Sequence, residues 1–189
     1  MFFFEETKKH KLNLSKPALL IIDMQNYFCD KSSPAYLSGV ENVIPKMETL
    51  SRKFFQLGYL VIATIHVGAS RMMKEWWGNE IGQEFARFSL NVEPTKILFK
   101  NTYDAFYGTD LEEILLSNKV EQVVLTGVMT HLCVETTARS AFVKGFEVVV
   151  VEDATWDKND WYHFASLKNL AHGFAVICKA DDVICTLES

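Results

Sequence analysis

The sequence contains no apolar run of the ~20 residues that a helix needs to cross a bilayer. Its opening, MFFFEETKKHKLNLSKP, gathers three phenylalanines but meets charge at Glu5, too soon for the apolar core of a signal peptide. A membrane is therefore not an expected partner, and the cytoplasm is the expected location. Positive charge is not in excess either. The formal net charge of −5 sets nucleic-acid backbones aside as partners and mainly helps solubility. The four cysteines, Cys29, Cys133, Cys178 and Cys185, form no CxxC pair and no zinc-like spacing. In a cytoplasmic chain they are expected to be free thiols rather than disulfides. Internal repeats, linkers and low-complexity segments are missing as well.

What remains suits a single domain with a proper core: 189 residues, 49% hydrophobic and 23% charged. Residues 1–16 read as an arm, with Phe2, Phe3 and Phe4 packing on the domain or on a second subunit. The apolar run from Ala18 to Ile22 reads as a central strand buried on both faces, ending in Asp23 and followed by Gln25 and Phe28. Apolar residues then recur at three and four from Val40 to Leu57, an amphipathic helix stopped by Gly58. Tyr59 to His66 is a second strand and Ile97 to Phe99 a short third, ending in Lys100. A helix with Leu111, Ile114 and Leu115 follows, capped by Thr109 or Asp110. Val123 to Leu125 form a fourth strand. A Gly127-Val128 corner leads to a helix with Thr130 as N-cap and Cys133 in its first turn. Phe146 to Val151 is a fifth strand, ending at Glu152-Asp153. Asp160 caps a helix that stops at Gly173, Ala175 to Cys178 form a sixth strand, and a short helix or tail closes the chain.

Residues 67–95 fit no single pattern. An excursion of this length is usually functional or disordered, and its aromatics (Trp76, Trp77, Phe85, Phe88) argue against disorder. They can roof a pocket or line a subunit contact. Elsewhere strand and helix alternate, which predicts an α/β fold with a parallel sheet covered by helices on both faces. Ligands in such sheets sit beyond the carboxyl ends of the strands. Asp23, Lys100 and Cys133 all fall at or just past such ends, so they can meet at one edge.

Those three side chains suit one chemistry. A thiol near the positive end of a helix dipole is favoured as thiolate. A buried carboxylate at Asp23 is suited to moving protons, and Lys100 offsets the cost of burying negative charge. Backbone N–H groups between Val128 and Cys133 can hold the oxyanion of a tetrahedral intermediate. Together they make a nucleophilic hydrolase with a thioester intermediate. Taken singly, each residue also has an ordinary reading: a packed cysteine, a capping aspartate, a solvated lysine.

The segments Leu19-Leu20-Ile21-Ile22-Asp23-Met24-Gln25, Lys100-Asn101-Thr102-Tyr103-Asp104-Ala105-Phe106 and Gly127-Val128-Met129-Thr130-His131-Leu132-Cys133-Val134 resemble the three signatures of the isochorismatase-like cysteine hydrolase superfamily. Thr137 to Ala141, the Val148 to Asp153 strand and the His163 to Gly173 helix fit its later pattern. The resemblance implies a three-layer α/β/α sandwich around a six-stranded, mostly parallel, Rossmann-like sheet. It implies Asp23 as general acid/base, Lys100 as its electrostatic partner and Cys133 as nucleophile. It also implies a cis peptide bond between Val128 and Met129 that aims the Met129 and Cys133 N–H groups at the oxyanion. Homodimers or homotetramers are implied as well.

Within that superfamily, Cys133 favours attack on an amide or a carbamoyl (ureido) carbonyl of a small molecule. Enol-ether hydrolysis by the aspartate, as in isochorismatase itself, is the alternative. A non-catalytic binding or redox-sensing role on the same scaffold is another. The nicotinamidase branch places a metal on an Asp-x-His pair and a further histidine after the second strand. This chain has Thr64-Ile65-His66-Val67-Gly68 there. His66 is read as a satisfied strand-end residue, and no metal or other cofactor is expected. Phe28, Arg71, Trp76, Trp77 and Tyr103 are pocket candidates, with His131 as an orienting neighbour rather than a partner of Cys133. Cys29 reads as a packing residue.

Overall fold

A computed structural model describes residues 4–7 and 9–189. Phe2 and Phe3 lie outside the described residues, as does the side chain of Phe4, and the packing expected of them with it. After one turn of helix, α1 (Phe4–Thr7), six strands and seven further helices follow. They are β1 (Pro17–Ile22), α2 (Asn26–Cys29), α3 (Ile44–Gln56), β2 (Val61–His66), α4 (Arg71–Trp77), β3 (Lys96–Lys100) and α5 (Leu111–Ser117). Then come β4 (Gln122–Val128), α6 (Glu135–Val143), β5 (Glu147–Trp156), α7 (Asp160–Gly173), β6 (Val176–Cys178) and α8 (Ala180–Glu188).

The strands form one sheet in the order β3-β2-β1-β4-β5-β6, and every pair is parallel. Parallel strands are buried on both sides, and period-two alternation divides each between two cores. Ala18, Leu20 and Ile22 of β1 join Val123 and Leu125 of β4 under Leu111 of α5, Ala138 and Ala141 of α6 and Leu167 of α7. Leu19 and Ile21 point the other way, with Val61, Ala63 and Val124, onto Met47, Leu50 and Phe54 of α3 and Val183 of α8. This is the α/β/α sandwich. Among the described residues no helix is long and apolar enough to cross a membrane.

The order in which strands are added to the sheet reverses between β1 and β4. From β1 the chain builds outward through β2 to β3; it then returns and builds the other way through β4, β5 and β6. A crevice opens at that switch point beyond the carboxyl ends of the strands. Gly127 makes the closest approach there. It pairs with Ile22, has φ of +111°, and a Cβ on it would lie 2.1 Å from the Ile22 carbonyl oxygen.

Several boundaries differ from the sequence reading. The corner expected at Gly127-Val128 is part of β4, which runs on to Val128. Strand β5 also runs past Glu152-Asp153. Extra residues between Val150, opposite Leu125, and Thr155, opposite Gly127, form an irregularity that carries it to Trp156. Thr130 does not cap a helix. Residues 130–134 form a π-type turn in which the Val134 N–H bonds to Met129 O, and the buried Thr130 hydroxyl instead donates to Trp156 O at 3.0 Å. The cap of α7 is Asn159, accepting from the Tyr162 N–H at 3.0 Å, rather than Asp160. The stop at Gly58 is a Schellman turn. Its N–H bonds to Phe55 O, the Tyr59 N–H bonds to Phe54 O, and the Phe54 and Tyr59 rings pack on each other.

Candidate active site

Asp23 follows the last residue of β1 with φ of +52°, a left-handed turn that swings its carboxylate under the neighbouring strands. The carboxylate is fully buried, which is tolerable only because its oxygens are satisfied. Oδ1 accepts from the Thr64 hydroxyl at 2.6 Å, and Oδ2 accepts from Lys100 Nζ at 2.6 Å. Lys100, at the end of β3, also donates to Thr102 O at 2.9 Å, and its ammonium lies 3.4 Å from His66 Nδ1. Burial works against the charge on Lys100. Asp23 and Cys133 beside it more than offset this, and the net effect is to raise its pKa.

Cys133 comes from the π-type turn after β4 and is 4% exposed. Its sulfur, a ring nitrogen of His66 and a carboxylate oxygen of Asp23 all lie within 4.8 Å of one another. The three residues named from the sequence are thus brought together, and the Val128–Met129 peptide bond beside them is cis. The helix-dipole reading of Cys133 needs correction. Burial pushes the thiol well up, and Asp23 adds to this; the opposing pull of Lys100 is smaller. The resting group is a thiol, so a base must remove its proton before it can attack.

Cys133 and His66 line a cavity of about 190 Å³, walled largely by Tyr27, Phe28, Trp77, Tyr103, Met129 and Leu132. Residues 67–95 contribute one side of it. Ser70 caps α4, Gly78 ends it with φ of +72°, and Gly68 bridges Ile81 in an antiparallel pair. Gln25 ties this segment down, donating to His66 O and Phe85 O at 3.0 and 2.9 Å and accepting from the His66 N–H at 2.7 Å. Trp77 Nε1 donates to the Tyr103 hydroxyl at 2.7 Å, closing one wall.

Other candidates lie elsewhere. Trp76 is 78% exposed and does not line the cavity, because it falls on the outer face of α4. Arg71 is exposed on the same helix, paired with Glu75 at 2.8 Å. His131 turns away from the cavity. Its Nδ1 and backbone N–H each lie 2.8 Å from the buried Asp157 carboxylate, and its ring stacks on Tyr162. Cys29 is half-buried outside the cavity, its thiol pushed up to about 11 by burial. The reading of His66 as a satisfied residue is wrong for its ring: Nε2 is buried and has no hydrogen-bond partner. Thr64 and Asp157 were missed altogether. The two-residue spacing of Thr64 and His66 puts both on one face of β2, a readable signal; nothing in the sequence marks Asp157.

Asp23, His66 and Cys133 also offer donor atoms that a metal ion could use. The Lys100 ammonium already occupies their midst, within 2.6 Å of Asp23 and 3.4 Å of His66. Two cations at that range in a buried site repel strongly, so the residues present do not fit a metal ion.

Known proteins resemble this chain along most of its length. The isochorismatase domain family matches residues 17–182. The chain is 37% identical to nicotinamidase 3 of Arabidopsis thaliana over 93% of its own length and 91% of the relative. It is 24% identical to N-carbamoylsarcosine amidase of an Arthrobacter species over 93% of its length and 72% of the relative. A cysteine hydrolase from Pseudomonas syringae superimposes with a TM-score of 0.85 at 20% identity, covering 94% of each chain, which shows the shared fold. A domain match over most of the chain, joined to a full-length relative at 37% identity, places this protein in the isochorismatase family of hydrolases.

Proposed function

We propose that the protein is a cysteine-dependent amidohydrolase that cleaves the C–N bond of a small amide or carbamoyl compound through a thioester on Cys133. One observation carries this reading: a buried carboxylate, ammonium and thiol packed together, with the thiol opening onto an apolar cavity. The aromatic walls and small volume suit a planar, uncharged substrate with one ring. The likeness to a nicotinamidase makes nicotinamide the first compound to test.

In this mechanism Asp23 takes the thiol proton as the sulfur attacks the carbonyl carbon. Lys100, bonded to the same carboxylate, offsets the buried negative charge that Asp23 carries before that transfer. The Met129 and Cys133 N–H groups hold the oxyanion of the tetrahedral intermediate. Its collapse expels the amine, or ammonia, with the proton from Asp23 and leaves a thioester. Asp23 then takes a proton from water, the hydroxide attacks the thioester, and the carboxylic acid leaves as the thiol is re-formed.

The test is ammonia release from a panel of primary amides and ureido compounds by the parent protein and by Cys133→Ala. The variant is expected to retain less than about one thousandth of the parent rate while keeping its fold by circular dichroism. A Cys133→Ala protein that still turns over its substrate, with Asp23→Ala inactive, would point to aspartate-driven enol-ether chemistry instead. A parent protein that cleaves no member of the panel would reject the amidohydrolase reading.

A further inference from the structure

In an α-helix each N–H bonds to the carbonyl four residues back, which would commit the Cys133 N–H to Met129 O. The turn that carries Cys133 does otherwise. Among the described residues, Met129 O accepts from the Leu132 and Val134 N–H groups, at 3.2 Å each, and not from the Cys133 N–H between them. The wider π-type turn over residues 130–134 thus spares the Cys133 N–H that bond, and an oxyanion beside the sulfur can use it. No side chain at Met129 caps the turn, so its first N–H groups need partners from elsewhere in the fold.

Asp157 supplies one of them from the end of β5. Its side chain is fully sealed from solvent, and one carboxylate oxygen accepts from the His131 N–H at 2.8 Å. The other accepts from the Lys158 N–H at 2.7 Å, and His131 Nδ1 lies 2.8 Å from both oxygens. Thr130 is held by neutral groups alone: its hydroxyl donates to Trp156 O, and its carbonyl accepts from the Ser166 hydroxyl at 3.1 Å. A hydrogen bond to a carboxylate is roughly twice as strong as one between neutral groups. The Asp157 bond therefore outweighs the single backbone bond that an α-helical register would regain. Neither Asp157 nor His131 lines the cavity, so whatever Asp157 does for the chemistry it does through the turn.

We propose that Asp157 is a positioning residue. By holding the His131 N–H it keeps residues 130–134 in the π-type turn, and so keeps the Cys133 N–H available to the oxyanion. The kinetic consequence rests on the amidohydrolase reading; the effect on the turn does not.

The test compares Asp157→Ala and Asp157→Leu with the parent, and either suffices if it is folded by circular dichroism. A crystal structure of the variant is expected to show the α-helical register, with the Cys133 nitrogen within about 3.2 Å of Met129 O. With the primary amide that the parent cleaves fastest, kcat per folded site is expected to fall by about 10²-fold or more. KM is expected to stay within about threefold, because the cavity walls are untouched. His131→Ala removes the ring but keeps the backbone N–H, and its kcat is expected within about threefold of the parent. A role in folding alone would lower stability and leave both the turn and kcat per folded site as they are. The proposal is overturned if the variant keeps the present turn, if its kcat stays within about threefold of the parent, or if His131→Ala loses as much as Asp157→Ala. A parent protein that cleaves no amide rejects the amidohydrolase reading, and the register seen in the variant still decides this one.

Discussion

The Asp23–Lys100 pair is the residue on which stability and chemistry meet. Both side chains are sealed from solvent, so neither charge is tolerable without the other. Lys100→Met is expected to cost about 3–5 kcal/mol in urea unfolding and to lower amide hydrolysis by roughly 10²–10⁴-fold. A stable and fully active variant would contradict the pairing. His66 gives a second residue-scale expectation. Its folded pKa, about 4, lies below its ordinary 6.5, so the native state binds fewer protons there than the unfolded chain. Stability from this group is full above pH 6.5 and is lost as pH falls toward 4, by ~3 kcal/mol in all. Unfolding free energy measured at pH 7 and pH 4.5 should fall by ~2–3 kcal/mol more in the parent than in His66→Phe. Equal losses would mean that the imidazole is not held neutral. Asp23, Lys100 and Cys133 were legible because each ends an apolar run or opens the next helix. The unpartnered ring nitrogen of His66 was not, since the absence of a partner is a property of the space around Nε2 rather than of the local sequence.

Between elements, the controlling contact is that of β1 with β4 at the switch point. Asp23 is placed by the last pair of that ladder, Ile22 opposite Gly127. A methyl group at Gly127 would have to occupy the space of the Ile22 backbone in a conformation that side chains rarely adopt. Gly127→Ala is expected to destabilise by at least about 3 kcal/mol and to lower the thermal midpoint by about 10 °C. An unchanged midpoint would contradict this register. The turn after β4 shows where periodicity stops being informative. Ala138 and Ala141 were readable as one helical face, but residues 130–134 take a π-type turn fixed from outside. Asp157 accepts from the His131 N–H, and Thr130 bonds to Trp156 O. Those partners sit some twenty-six residues downstream, beyond any local pattern. The continuation of β5 to Trp156 escaped for the same reason, since its irregular pairing with β4 interrupts the apolar run.

For the molecule as a whole, the alternation of buried strands and amphipathic helices was enough to foresee the layered architecture and the edge at which a site would form. The sheet order gives the crevice, and four strand ends contribute to it: Asp23 after β1, His66 of β2, Lys100 of β3 and Cys133 after β4. What the sequence did not disclose was the path of residues 67–95. Their only regular part is a seven-residue helix and a single turn, held by tertiary bonds from Gln25 and Tyr103. That segment walls the cavity through Trp77 and Ile81 and so contributes to the shape a substrate must have.

The central claim is that Cys133 carries the acyl group during turnover. Intact-mass spectrometry of protein quenched in acid within milliseconds of mixing with a cleavable amide tests it directly. The expected result is a transient adduct of the substrate's mass less that of ammonia, mapped by peptide analysis to Cys133 and missing in Cys133→Ala. Amide turnover with no adduct at any quench time, or an adduct on another residue, would contradict the account.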